Sequence, residues 1–165
     1  MAFSHYSLVD AGGLIFWIKQ EREKMDHVVY LDSQAKELEN LLSGFKTMII
    51  RGATGRKLPH GRVNAGDVLY FINNNAEGMV RAKGKVKGAF HSEKMTEDES
   101  RALVEKNQPK LRLTDKQMKR WAGKRYIVLI EVADVKEVAP FAIDKNGYGN
   151  MDDWLPVEKI ETVKK

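Results

Sequence analysis

The sequence predicts an α+β domain: a small mixed β-barrel of about five to seven strands, with flanking helices and a helical insertion. Three observations carry this. Strand-like runs recur from residue 46 onward, two helix-start signatures interrupt them, and turn chemistry sits at their centre.

In chain order, residues 8–24 read as a helix, with Leu14, Trp17 and Ile18 at helical spacing and a charged end. Gly12-Gly13 weakens its first turn. His27 to Leu31 reads as a short buried strand. Ser33 is placed to cap a second helix over 34–43, with Ala35, Leu38, Leu41 and Leu42 on one face and Gly44 as its stop. Lys46 to Arg51 then forms a strand, followed by a loop from Gly52 to Gly66. Asp67 to Asn73 alternates cleanly, Asn73-Asn74-Asn75 with Gly78 makes a turn, and Met79 to Phe90 returns. Residues 91–123 form a polar helical insertion. Thr96 with Glu99, and Thr114 with Gln117, have capping-box spacing, and Pro109 separates the two helices. Lys124 to Val132 is the most strongly β segment, and Phe141 to Ile143 and Trp154 to Val163 add one or two edge strands. The expected organisation is an N-terminal helical extension over 1–26 and one domain over 27–165.

Composition narrows the function classes. With 165 residues, 42% hydrophobic and 31% charged, the chain is globular. It has no cysteine, which excludes a disulfide framework, a Cys-based zinc site and a thiol nucleophile. The four histidines are scattered, so no metal site and no cofactor are expected. Leu14-Ile15-Phe16-Trp17-Ile18 is too short to span a membrane and lacks the basic lead of a secretion signal, so a cytoplasmic protein is expected. The net charge of +5 points to a polyanionic partner.

The distribution of charge is more telling. Between Arg51 and Gly88, eight Lys or Arg stand against two acids, Asp67 and Glu77. Arg81, Lys83, Lys85 and Lys87 occupy alternate positions, with small residues between them. On a strand, this places all four cations on one face at about 6–7 Å intervals, near the phosphate spacing of a nucleic-acid strand. The other account is a solvated outer face whose lysines discourage edge pairing. Arg56, Lys57 and Arg62 lie in the loop where phosphate contacts or simple solvation are both consistent. Trp121, set among Lys119, Arg120, Lys124 and Arg125, is the leading aromatic platform for a base.

Gly44-Phe45-Lys46-Thr47-Met48-Ile49-Ile50-Arg51 sits at a helix-to-strand junction. Lys46 and Arg51, five positions apart, point to opposite faces of a regular strand. Lys46 either enters a cleft or caps helix 34–43.

The run from Val28 to Ile72 resembles the start of an ASCH domain, a member of the PUA-like superfamily. The family signature, G-x-K-x-x-E-x-R, is met by Gly44, Lys46 and Arg51, with Gly66-Asp67 downstream and Ile49 in place of the glutamate. The resemblance extends over roughly residues 27–135. It implies a β-barrel whose cleft takes RNA or a nucleobase-like ligand, with Lys46 and Arg51 in or beside it. Some ASCH-like proteins deacylate a modified cytidine, using a lysine, a hydroxyl residue three positions on and a distant carboxylate. The hydroxyl position here is Ile49, which can neither move a proton nor attack a carbonyl, although Thr47 is close.

The leading expectation is therefore an RNA- or nucleotide-binding module using Lys46, Thr47, Arg51, Arg56, Lys57, Arg62, Arg81, Lys83, Lys85, Lys87 and Trp121. The alternative is a small amidohydrolase acting on an acylated nucleoside such as N4-acetylcytidine, with Lys46, Thr47 and Glu131 catalytic. A third role is a protein partner docking on 91–123. No oligomeric state follows from the sequence.

Overall fold

A computed structural model of the chain describes residues 5–20, 23–148 and 153–165. Strands β1 (His5–Ala11) and β2 (Leu14–Gln20) form a two-stranded antiparallel sheet. This corrects the helix expected over 8–24. Gly12 and Gly13 adopt φ of 66° and 90°, the paired positive φ of a two-residue hairpin turn, and Ala11 pairs with Leu14 across it.

The main sheet has six strands: β3 (Asp26–Leu31), β4 (Met48–Ala53), β5 (Val68–Asn73), β6 (Met79–His91), β7 (Tyr126–Ala142) and β8 (Trp154–Glu158). Their order is β4-β7-β6-β5-β3-β8, with only β3 and β5 parallel. β6 and β7 are long, and their pairing slips in register at three places, between Val80 and Ala82, Lys83 and Lys85, and Val86 and Gly88. Such bulges increase local twist and bend a sheet. The sheet accordingly curls into a partly open barrel. Inside it lie Val29, Leu31, Ile49, Leu69, Phe71, Ala82, Val128, Ile130 and Trp154. Phe141 continues β7 rather than opening an edge strand of its own, while β8 is an edge strand. β6 is paired on both sides, so its lysines do not guard a sheet edge.

Among the described residues, three α-helices flank the sheet: α1 (Glu37–Leu42), α2 (Glu97–Leu111) and α3 (Asp115–Trp121). α1 starts later than expected, and Ser33 does not cap it; Lys36 is its N-cap, without a side-chain cap bond. Gly44, at φ 80°, ends it as expected. Both capping boxes form as read, Thr96 with Glu99 and Thr114 with Gln117. Pro109 lies inside α2; the chain leaves that helix at Arg112, in a left-handed conformation. One face of α2 and α3 covers the outside of β4 and β7 through Val104, Leu111, Trp121, Met48, Ile50, Ile127 and Leu129. Among the described residues, no helix is long and apolar enough to cross a membrane.

Candidate functional site

Arg51 belongs to β4, at one end of the strand order, and its side chain points inward with that of Ile49. Its Nη2 donates to the carbonyl of Tyr30 on β3 at 2.6 Å, and its Nη1 to that of Ile50 at 2.7 Å. The guanidinium therefore ties the β4 end of the curled sheet to the β3–β8 end. Its Nε lies 3.3 Å from the Asp153 carboxylate but off the hydrogen-bond direction, and that buried N–H has no hydrogen-bond partner among the described residues.

At the mouth closed by Arg51 opens a cleft of about 1180 Å³. Among the described residues, seven cations line it: Arg51 at its base, Lys57 in the 52–66 loop, Lys116, Lys119 and Arg120 on α3, Lys124 behind α3, and Lys145. Three described acids face them, Asp32, Glu37 and Asp153. Two of these are committed locally: Asp32 accepts from Ala35 N–H at 3.1 Å, and Glu37 accepts from Asp32 N–H at 2.9 Å. Three aromatic side chains also line the cleft. Trp121 is mostly buried, and two guanidinium groups approach its ring, Arg120 at 4.3 Å and Arg51 at 5.8 Å from the ring centre. Tyr30 carries the Lys145 ammonium over its ring at 4.6 Å, and half-buried Tyr126 lies near Arg56 at 5.6 Å. Asn73, at the end of β5, adds a buried side-chain oxygen without a hydrogen-bond partner.

Lys46 precedes β4 and is 2% exposed. Its Nζ donates to the carbonyl of Leu111, the last residue of α2, and stands 3.5 Å from Glu37 Oε2. A cation at a helix C-terminus is favoured electrostatically, but the helix is α2, not the one that precedes Lys46 in sequence. The Lys46 backbone N–H serves that nearer helix, donating to Asn40 at 3.0 Å. Burial holds the Lys46 ammonium below its usual pKa, Glu37 opposes that shift, and Arg51 adds to it. Lys46 does not line the cleft; Glu37 does.

Of the other expected residues, Lys57 and Trp121 line the cleft together with Arg51. Arg56 sits at its rim, 3.3 Å from Glu93, and exposed Arg62 lies outside the lining. Arg81, Lys83, Lys85 and Lys87 alternate with buried or half-buried neighbours as read, but none of them lines the cleft. Two of the four meet carboxylates: Arg81 pairs with Glu77, Nε to Oε2 at 3.0 Å, and Lys87 stands 4.0 Å from Glu131. Thr47 is half-buried, its N–H on the Lys110 carbonyl at 3.0 Å. Glu131 takes the Lys110 ammonium at 3.1 Å, so the carboxylate beside Lys46 is Glu37 and not Glu131.

Sequence reasoning missed Lys116 and Lys145, and took Lys119, Arg120 and Lys124 only as the setting of Trp121. A signal was present: positions 116, 119 and 120 share one face of a helix. Histidine chemistry belongs to the scaffold. His27 receives the Trp154 indole N–H on Nδ1 at 3.0 Å, which leaves Nε2 to donate to Asp67 at 2.9 Å. Asp67 also accepts from Met25 and Asn64 N–H, at 3.1 and 3.0 Å. The aspartate of the Gly66-Asp67 pair is thus a clamp joining β3, β5 and β8. Among the described residues, no group of three or more His, Asp or Glu is placed to hold a metal.

No family model matches the sequence, and no curated protein matches it. Solved structures do. Two point variants of ZmASCH from Zymomonas mobilis align with TM-scores of 0.62 and 0.61, each at 15% identity. They cover 86% and 85% of this chain and 94% and 93% of their own. A further structure, of ASCH from the same organism, gives 0.59 at 15% identity, over 83% of this chain and 90% of that one. Likeness at such identity speaks for the backbone rather than the chemistry. The backbone match over most of both chains gives this chain the fold of those ASCH structures, here a curled six-stranded half-barrel with flanking helices.

Proposed function

We propose that the cleft binds RNA or a nucleotide-like ligand. The observation that carries this reading is the imbalance, among the described residues, of seven cations to three acids around one concavity that also holds Trp121, Tyr30 and Tyr126. Single-stranded recognition needs cations beside ring faces, and backbone neutralisation supplies most of its affinity. α3 and Lys124 would hold phosphates, while the rings would take bases. The convex row of Lys83, Lys85 and Lys87 is a second basic surface outside the cleft.

Fluorescence anisotropy with a labelled single-stranded RNA, titrated with salt, tests the assignment. The variant Lys119→Glu/Arg120→Glu/Lys124→Glu should lose about 100-fold or more in affinity, and its log-affinity against log-salt slope should shrink by about 2. Lys83→Glu/Lys85→Glu/Lys87→Glu should lose less. The reverse ranking transfers binding to the convex face, and salt-independent affinity removes the phosphate mode.

A second reading is favoured by Lys46 and Glu37. A buried amine held below its usual pKa, beside a carboxylate that reaches the cleft, is a proton-transfer pair. It supports hydrolysis of an acylated nucleoside. Incubation with N4-acetylcytidine should then release cytidine, and both Lys46→Met and Glu37→Gln should abolish release. No release at high protein concentration retires the enzyme.

A further inference from the structure

The third acid of the cleft differs from the other two. Asp153 makes no side-chain hydrogen bond among the described residues; it makes two ion pairs, to Arg51 Nε at 3.3 Å and Arg120 Nη2 at 3.8 Å. Its backbone is pinned, because its carbonyl accepts the Tyr30 N–H at 3.0 Å. Its carboxylate therefore meets two arginines that both approach the Trp121 ring. Yet the contact is incomplete. Arg51 is 6% exposed, with both terminal nitrogens engaged by carbonyls and its Nε–H without a hydrogen-bond partner among the described residues. A buried cationic donor without an acceptor is costly, and a charge-assisted hydrogen bond would relieve it.

We propose that Arg51 Nε and Arg120 form a phosphate subsite, and that Asp153 is its built-in competitor, displaced when a phosphate group binds. A phosphate has three or more acceptor oxygens where the carboxylate has two. It can accept from Nε along the N–H direction while still meeting Arg120. The route out is open: the Asp153 side chain is 36% exposed and that of Arg120 59%. Asp32 and Glu37 cannot take the same role, since backbone N–H groups hold both. Asp153 would thus set a threshold, keeping the cleft from closing on weak anions. The inference rests on the cleft being a polyanion site and names one contact within it.

Calorimetric titration with inorganic phosphate is the direct test. Asp153→Asn removes the competing charge and keeps the shape, so affinity should rise about five- to tenfold. Arg120→Ala in that background should abolish the rise. Arg120→Ala alone, at an exposed position, should weaken phosphate binding. Asp153→Ala repeats the first measurement without an amide, and melting curves report whether each variant is folded. Short RNAs with and without a 5′-phosphate distinguish the source: tightening of both points to an internal phosphodiester, tightening of the phosphorylated one alone to a terminal phosphate. Unchanged or weaker phosphate binding by folded Asp153→Asn overturns the proposal, as does undiminished binding by Arg120→Ala. If phosphate binding tightens while no variant binds RNA, the subsite stands and the nucleic-acid reading falls.

Discussion

Arg51 and Lys46 are buried cations wired to backbone carbonyls, and their partners explain their presence. Replacing Arg51 by Met strands the carbonyls of Tyr30 and Ile50 and removes the link across the open side of the barrel. The expected cost is about 2–4 kcal/mol, read as a lower urea midpoint at constant m. A loss under about 1 kcal/mol would deny the guanidinium its role as a latch. Gly84 is a second residue-scale case. A Cβ there would lie 3.1 Å from Val135 Cγ2 and 3.2 Å from Phe71 Cε2, so Gly84→Ala should overpack the interior and cost about 1–3 kcal/mol. The sequence singled out Lys46 and Arg51 by residue type and spacing. It could not give their roles, because Lys46 bonds to position 111 and Arg51 to position 30, and no local pattern encodes such pairings.

At the scale of elements, local chemistry was legible wherever it stayed local. Both capping boxes could be read because every atom involved lies within four consecutive residues. Thr96→Ala should therefore cost about 1 kcal/mol, checked by thermal melting. The N-terminal hairpin shows the opposite. Leu14, Trp17 and Ile18 fit a helix, while Leu14, Phe16 and Ile18 fit a strand equally well. Gly12-Gly13, taken as a weak helix turn, was the hairpin signal that should have decided. For β6, alternation correctly gave one cationic face, but not whether the strand was central or at an edge. That depends on β5 and β7 flanking it. Because those lysines point outward from a strand paired on both sides, Lys83→Glu/Lys85→Glu/Lys87→Glu should fold normally by circular dichroism.

For the whole molecule, pH dependence follows from His91. Its Nε2 lies 2.8 Å from the Val63 carbonyl and its Nδ1 accepts the Gly61 N–H at 2.9 Å, fastening the 52–66 loop to β6. Burial lowers its pKa below the ordinary 6.5, the neighbouring His60 adds to this, and the bond to Val63 opposes it. The folded protein thus binds fewer protons there than the unfolded chain. Its stabilising contribution is complete above pH 6.5 and declines as pH falls below that value toward the lowered folded pKa. Urea midpoints measured from pH 7.5 down to about 5 should fall, and His91→Gln should flatten the decline. An equal slope in the variant would assign the dependence to other groups.

The sequence by itself determined the α+β class, most strand and helix positions, and the alternation of β6, because periodicity and capping are properties of neighbouring residues. Tertiary structure alone decided that Lys57, Lys116, Lys119, Arg120, Trp121, Lys124 and Lys145 share a cleft with Arg51, and that Lys46 turns away from it toward Leu111. Those outcomes arise from how the sheet curls and where the inserted helices pack, and both are set by contacts between residues distant in the chain.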